Sequence, residues 1–170
     1  IIRGKGYSNI FIKPDWLSQL LAWFNLKSED YIVDVGSNIG QSLIQIKSYN
    51  KEIGYIGFEP NLECCTYLQR LIQANKFKNT IIQPFALSNS YAHLILQKKY
   101  SVDSGATVVE KLRPGFYNNV VQEYILTSPF DTLLFEKNKI KLVKIDVEGY
   151  EYEVLLGMHS TIKNFKPVIV

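Results

Sequence analysis

The region 31–49 constrains the fold more than any other part of the chain. An apolar strand is predicted over Tyr31–Val35, and a helix with an apolar stripe over Ile39–Tyr49. Between them lies the turn 34–40, with the sequence DVGSNIG, whose glycines permit positive φ angles and close approach of the backbone. A buried strand, a tight glycine turn and a helix start together form the geometry of a nucleotide-cofactor site.

Strands and helices alternate through most of the chain. Further strands are predicted over Tyr55–Phe58, Thr80–Ala86, Ile140–Val147 and Pro167–Val170, and further helices over Asp15–Phe24, Leu62–Ala74 and Gly149–Leu156. This alternation predicts an α/β fold: a doubly wound, mostly parallel, Rossmann-like sheet with helices on both faces. Ligands bind where the strand order reverses, between the first and fourth strands. Asp34 and Asp146 end those strands, so we expect them to face each other across one crevice.

The pattern changes between positions 88 and 127, where a small antiparallel insertion is predicted. Its strands are predicted over Tyr91–Gln97, Ala106–Val109 and Val120–Leu126, with a turn at Arg113-Pro114-Gly115. Ser128-Pro129-Phe130-Asp131 then predicts a helix start, because it combines a serine cap, a proline at the first position and an acid. We therefore expect one domain over 1–170, with a helical lead-in over 1–30 whose helix begins directly after Pro14.

Composition excludes several functional classes. The chain has 170 residues, 46% hydrophobic and 21% charged, and a net charge of +3 that is too weak and scattered to indicate nucleic-acid binding. The lysines interleaved with apolar residues are predicted to form a solvated surface: Lys98, Lys99, Lys137, Lys139, Lys141 and Lys144. No apolar run approaches the roughly 20 residues of a membrane span. The adjacent Cys64 and Cys65 offer no disulfide framework, so buried thiols and a cytoplasmic, reducing location are expected.

The glycine turn indicates which cofactor class fits. A full G-x-G-x-x-G would favour a dinucleotide, whereas this turn reads G-x-x-x-G with Asp34 two residues ahead. The charge of Asp34 opposes a pyrophosphate and suits a cofactor with positive charge, such as S-adenosylmethionine. Asp34 is predicted to accept from the cofactor ammonium, directly or through water, while amides from about Ile39 onward hold its carboxylate. The structural alternative is a tight turn with a capping acid.

Glu59 is the second candidate. It ends the second predicted strand, 25 residues after Asp34 and 19 after Gly40. An acid at this position accepts hydrogen bonds from two vicinal ribose hydroxyls. The alternative is an exposed acid before a helix whose N-cap is Asn61. Next to the glycine turn, ribose binding is the favoured interpretation.

A third group of acids follows the buried strand in the sequence KIDVEGYE, positions 144–151. A helix start favours an acid at Glu151 but does not explain Asp146, whose strand is otherwise apolar apart from lysines. Asp146 and Glu148 are predicted to lie at the crevice. There they would orient an acceptor hydroxyl, act as a general base or ligate a divalent cation through oxygen. Two oxygen ligands leave metal dependence open, and no metal site is predicted.

Taken together, DVGSNIG, FEPN, ALS and KIDVEGYE followed by LLG resemble the FkbM-type S-adenosylmethionine-dependent methyltransferases, in that family's order, from about position 31 to 157. The last motif is the most specific. The resemblance implies a class I methyltransferase fold and methyl transfer to an oxygen, usually a hydroxyl of a sugar, glycan or other secondary metabolite. The usual class I sheet has seven strands and this chain ends at the fifth, so C-terminal strands are expected to be missing.

The resemblance also assigns site residues by position. The methionine part of the cofactor would be held by the turn residues Asp34, Gly36, Ser37, Asn38 and Gly40. The ribose would be held by Glu59 with Pro60 and Asn61 beside it, and the adenine would lie near Phe85, Ala86 and Leu87. Positions 83–86 contain no acid, so adenine contacts are expected from backbone and apolar groups. Asp146 and Glu148 would border the acceptor site.

Two other functions are consistent with the same residues. In a nicotinamide-dependent oxidoreductase Glu59 would bind a ribose equally well, but the missing middle glycine and the charge of Asp34 count against it. A truncated, non-catalytic cofactor-binding domain is motivated by the chain end at Val170. The expected partner is a small-molecule or glycan hydroxyl substrate, without nucleic acid or membrane. Trp16 and Trp23 share one helix face and are expected to pack on the domain, with pocket lining as the minor alternative.

Overall fold

The computed structural model describes residues 15–109 and 120–170. In chain order the elements are α1 (Asp15–Phe24), β1 (Tyr31–Val35), α2 (Gln41–Tyr49), β2 (Gly54–Phe58), α3 (Leu62–Asn75), β3 (Thr80–Gln83), β4 (Ala86–Leu87), β5 (Ala92–Lys98), β6 (Val121–Ser128), β7 (Ile140–Ile145), α4 (Glu151–Gly157), α5 (His159–Phe165) and β8 (Val168–Ile169). Short 3-10 helices occupy Phe130–Thr132 and Lys137–Lys139. The predicted turn at Arg113-Pro114-Gly115 and the residue Pro14 lie outside the described residues.

Five strands form the main sheet, in the order β3-β2-β1-β7-β8 and all parallel. The strand order reverses between β1 and β7, which are the first and fourth strands of this sheet along the chain. Asp34 lies in register opposite Lys144 across that junction. The doubly wound α/β fold is therefore confirmed, and so is the predicted position of its switch point.

The core lies on both faces of this sheet, because successive side chains of a strand point to opposite faces. On one face Ile32 and Leu142 pack with residues of α1, α2 and α3, among them Leu43. On the other face Val33 and Val143 pack in a second cluster that takes in Val154 of α4, Met158 and Phe130. Helices thus cover both faces, as the alternation predicted.

The insertion differs in detail from the prediction. β5 pairs antiparallel with β6, but β4 pairs parallel with β6, so this second sheet is mixed rather than wholly antiparallel. The predicted strand Ala106–Val109 is reduced to a single bridge between Thr107 and Gln97. Pro84 separates β3 from β4, and β3 lies at the edge of the main sheet, as its proline predicted.

The helix predicted to start at Ser128–Asp131 is wrong. Ser128 ends β6, and only one 3-10 turn follows. Asp131 acts at a different helix, because its carboxylate accepts from the backbone amides of Ser160 (2.7 Å) and Thr161 (2.9 Å) at the start of α5. Of the residues in the predicted capping pattern, the acid Asp131 is the one that caps a helix, and that helix lies about thirty residues away. None of the described helices is long and apolar enough to cross a lipid bilayer.

Helix α4 packs so closely on the end of β4 that one position accepts only glycine. A Cβ placed on Gly157 would lie 1.9 Å from the carbonyl oxygen of Ser88. We predict that Gly157→Ala lowers the free energy of unfolding by about 1–3 kcal/mol through overpacking, although alanine is the better helix former. Tyr152→Ala, at an exposed position of the same helix, is the matched control for urea unfolding. An alanine that stabilises the protein at 157 would contradict this packing.

Candidate functional site

A cavity of about 260 Å³ opens at the carboxyl ends of β1, β2 and β7. Its volume is close to the lower end of the range for ligand pockets, which is roughly 300–1,000 Å³. It brings together most of the residues predicted from the sequence: Gly36, Ser37, Asn38, Glu59, Pro60, Ala86, Leu87, Asp146 and Glu148. The predicted residues Asp34, Gly40, Asn61 and Phe85 are not part of its lining. The sequence therefore predicted the place of the cavity and nine of the residues that line it.

Asp34 is buried and does not line the cavity. Its side chain is fully buried; one oxygen accepts from the Tyr55 hydroxyl at 2.6 Å and the other from the Lys144 ammonium at 3.0 Å. The expectation that Asp34 faces Asp146 across the crevice is therefore corrected, because Lys144 lies between them. The physical reason is register: Asp34, Lys144 and Tyr55 lie on one face of the sheet, where they satisfy each other. Contact of Asp34 with a cofactor ammonium, directly or through water, stays a prediction.

Lys144 lines the cavity where Asp34 was expected to do so. Its side chain is only 11% exposed, and its ammonium lies 3.0 Å from Asp34 and 3.5 Å from Asp146. Burial lowers the pKa of Lys144, but the neighbouring carboxylates outweigh burial and raise that pKa above its ordinary value, so the side chain is cationic. The prediction of a solvated Lys144 is wrong, and the same holds for Lys98, which is buried and paired with Glu123 at 2.7 Å.

The glycine turn lies directly against the end of β7. Gly36 has a φ of +83°, and a Cβ there would be 2.1 Å from the carbonyl oxygen of Asp146. Asn38 (φ +46°) and Gly40 (φ +87°) also adopt left-handed conformations, and α2 begins only at Gln41. Glycine at 36 is therefore what brings the turn and the Asp146 strand end together.

The backbone amides of this turn all have partners inside the protein. Gly36 and Ser37 donate to Phe58 O, Asn38 to the Glu59 carboxylate, Ile39 to the Asn38 side chain and Gly40 to Ser37 O, at 2.8–3.1 Å. The expected carboxylate donors at Ile39 and Gly40 are therefore already engaged. The prediction that amides from about Ile39 onward hold a cofactor carboxylate stays a prediction.

Glu59 connects the second strand to the glycine turn. Its carboxylate accepts from the Asn38 amide at 2.8 Å and from the Asn61 amide at 2.9 Å, and the residue is 6% exposed. Burial raises the pKa of Glu59 to about 7, against the opposing effect of the two amide hydrogen bonds. Asn61 is confirmed as the N-cap of α3, since its side chain accepts from the Glu63 amide at 3.1 Å.

Residues 99–109, here called the insertion loop, cover the cavity and contact all three sequence motifs. Asn61 donates to Ser101 O at 2.7 Å, and Asn38 donates to Asp103 O at 3.3 Å. The Thr107 hydroxyl donates to Glu148 O at 2.7 Å. These bonds make the loop a wall of the site rather than a peripheral connection.

The acceptor side of the cavity carries Asp146 and Glu148. The Asp146 side chain is 66% exposed, and Glu148 has a left-handed φ of +52°, a conformation that costs a non-glycine residue free energy. Tyr150 also lines this side, and its hydroxyl lies 3.0 Å from the Ser88 hydroxyl. Glu151, the first residue of α4, accepts a hydrogen bond from the Gly149 amide at 3.1 Å. This is the role expected for an acid at a helix start.

Helix α1 contributes one side chain to the cavity. Trp16 lines it and is 46% exposed, whereas Trp23 is 87% exposed. Packing of both tryptophans on the domain is therefore wrong, because Leu17 and Leu21 supply the buried face of this helix. For Trp16 the minor alternative, pocket lining, is the one observed.

Sequence reasoning missed several residues of the cavity wall. Lys144 carried a signal, since it is a lysine in a strand that the fold buries on both faces. Asp103 and Thr107 carried none, because their position depends on contacts far apart in the chain, whereas Tyr150 belongs to the KIDVEGYE motif itself. Cys64 and Cys65 are buried free thiols, as expected. Within 15–109 and 120–170, no group of three or more His, Cys, Asp or Glu side chains is arranged to hold a metal ion.

Comparison with known proteins identifies the family. The family described as "Methyltransferase FkbM domain" matches residues 34–170. The chain belongs to this FkbM methyltransferase family. A crystal structure from Staphylococcus aureus, provisionally described as a caffeoyl-CoA O-methyltransferase, is similar at 23% identity and a TM-score of 0.37. That similarity covers 49% of this chain and 35% of the other, and no curated protein matches this FkbM domain.

The buried pair between Asp34 and Lys144 provides a test of how the site is held. We predict that Asp34→Asn and Lys144→Met each lower the free energy of unfolding by about 3–5 kcal/mol, because each breaks the buried ion pair by removing one of its charges. Asparagine keeps an acceptor for Tyr55. The double variant is expected to be more stable than the sum of the single losses implies, by urea unfolding. Strictly additive losses would contradict a coupled pair.

Proposed function

We propose that this FkbM domain is an S-adenosylmethionine-dependent O-methyltransferase acting on a hydroxyl of a small molecule or glycan. The observation that carries the proposal is the cavity at the strand-order reversal, where Glu59 follows β2 and the acids Asp146 and Glu148 follow β7. Buried free thiols at Cys64 and Cys65 support the further proposal of a cytoplasmic location.

The charge of the cavity fits this cofactor. Four carboxylates line it, those of Glu59, Asp103, Asp146 and Glu148, beside the single ammonium of Lys144. S-adenosylmethionine carries a sulfonium, an ammonium and one carboxylate, so a mainly acidic wall with one cation complements it. A dinucleotide would bring two negative phosphates against the same carboxylates. This electrostatic argument favours S-adenosylmethionine over the nicotinamide alternative.

The residues that would hold the cofactor follow from their positions on the wall. Glu59 would accept from the ribose hydroxyls, and the turn at Gly36 would lie against the amino-acid part. Ala86 and Leu87, with Pro60, would provide an apolar surface for the adenine. When bound, the cofactor supplies a methyl group activated by its attachment to a sulfonium.

The acids after β7 would act on the acceptor. Asp146 is exposed to the cavity and Glu148 borders it, so an acceptor hydroxyl placed there would donate its hydrogen bond to a carboxylate. Such a carboxylate orients the hydroxyl oxygen and takes up its proton as the oxygen reacts. Thr107 supports this role by holding the Glu148 backbone from the insertion loop.

Calorimetry with S-adenosylhomocysteine tests the cofactor directly. We predict that wild-type protein binds it and that Glu59→Ala weakens binding by about tenfold or more, because hydrogen bonds from the ribose to a carboxylate are lost. Glu63→Ala, an exposed acid in the first turn of α3, is the matched control and should bind as wild type does. Failure of the folded wild type to bind, or unchanged binding by Glu59→Ala, would sink the proposal.

The raised pKa of Glu59 predicts a pH dependence of binding. Below about pH 7 the carboxyl is protonated, and it must lose that proton to accept from both ribose hydroxyls. Affinity for S-adenosylhomocysteine is therefore expected to rise between about pH 6 and about pH 8. Glu59→Gln cannot titrate there and should show a flat profile in the same calorimetric series. An equal slope in both proteins would assign the titration to another group.

A further inference from the structure

We propose that Lys144 is a cofactor-binding residue whose ammonium pairs with the carboxylate of the amino-acid part of S-adenosylmethionine. The inference rests on the proposed function and deepens it, because it names the group that recognises one end of the cofactor. It also gives Asp34 an indirect role, as the buried partner that holds Lys144 in place.

Position supports the assignment first. Lys144 lies in register opposite Asp34, at the junction of β1 and β7, and lines the cavity. Two residues further on, the carbonyl of Asp146 is so close to Gly36 that a Cβ would reach within 2.1 Å of it. Lys144 therefore lines the same cavity as the glycine turn, where the amino-acid part is proposed to bind.

The hydrogen bonds of the turn support it next. From Gly36 to Gly40 each backbone amide donates to a protein acceptor. A carboxylate at this turn would have to break one of those bonds or find its donor elsewhere. The ammonium of Lys144 has three N–H groups: its hydrogen bond to Asp34 uses one and its contact with Asp146, at 3.5 Å, takes up a second, which leaves one for a ligand.

Charge supports the assignment independently. Among the described residues that line the cavity, Lys144 is the only one with a cationic side chain. The other ionisable carboxyl groups of the wall repel a ligand carboxylate, so that group gains most by lying against the lysine. The ammonium is nearly buried, where a charge pair is screened less by salt and water than at the surface.

A pair of ligands isolates the contact with the carboxylate. S-adenosylhomocysteine is compared by calorimetry with its decarboxylated analogue, the aminopropyl thioether of adenosine, which keeps the ammonium and lacks only the carboxylate. Wild-type protein is expected to prefer S-adenosylhomocysteine by about tenfold or more, as expected for a charge-assisted hydrogen bond. In Lys144→Met the preference should largely disappear, while binding of the analogue changes little.

The controls separate this contact from a loss of folding. Lys141→Met removes an exposed lysine of the same strand and should keep the wild-type preference. The double variant Asp34→Asn/Lys144→Met removes both buried charges and is therefore expected to fold if Lys144→Met alone does not. The ratio of its affinities for S-adenosylhomocysteine and the analogue can then be measured. Using the ratio of two affinities cancels any general weakening of the cavity.

The outcomes distinguish the inference from the function on which it rests. If wild type binds S-adenosylhomocysteine and the analogue equally, or if the preference persists without Lys144, the inference is overturned and the carboxylate is held elsewhere, for instance by the first turn of α2. If wild type binds neither ligand, the proposed function fails, and the inference falls with it.

Discussion

The buried ion pair between Asp34 and Lys144 joins the two central strands of the sheet at the point where the strand order reverses. A pair of this kind gains little in net stability over apolar residues, but losing one partner is costly, so both charges must be kept together. Tyr55 closes the arrangement by donating to the second oxygen of Asp34. The pair holds the ammonium of Lys144 at the cavity wall, between the buried Asp34 and the exposed Asp146.

The remaining wall is assembled from segments that lie far apart in the chain. Glu59 ties the end of β2 to the glycine turn through the Asn38 amide, and the insertion loop reaches back to Asn38, Asn61 and Glu148. A side proposed for the cofactor and a side proposed for the acceptor are thus connected by the same loop. Changes in this loop are therefore expected to act on both sides, through the hydrogen bonds that position their residues.

The sequence was sufficient for the architecture because its signals are local or periodic. Apolar strands alternating with helices predicted the parallel sheet, and Pro84 and Asn61 marked a strand edge and a helix cap as observed. The predicted contact of Asp34 with Asp146 was wrong because cross-strand register decides which side chain lies opposite Asp34. That register depends on Lys144, a partner 110 residues away in the chain. The predicted surface position of Lys144 is wrong for the same reason. Asp131 shows the general limit: its capping chemistry was recognised, but its helix was chosen by tertiary contacts.

A crystal structure of the wild-type chain with S-adenosylhomocysteine tests the central claim most directly. The account predicts the ligand in the cavity between β1 and β7, with its ribose hydroxyls on Glu59 and its carboxylate about 3 Å from the ammonium of Lys144. The Asp34 side chain should stay buried against Tyr55 and Lys144. A ligand bound outside this cavity, or one whose carboxylate points away from Lys144 while Asp34 turns to meet its ammonium, would contradict the account.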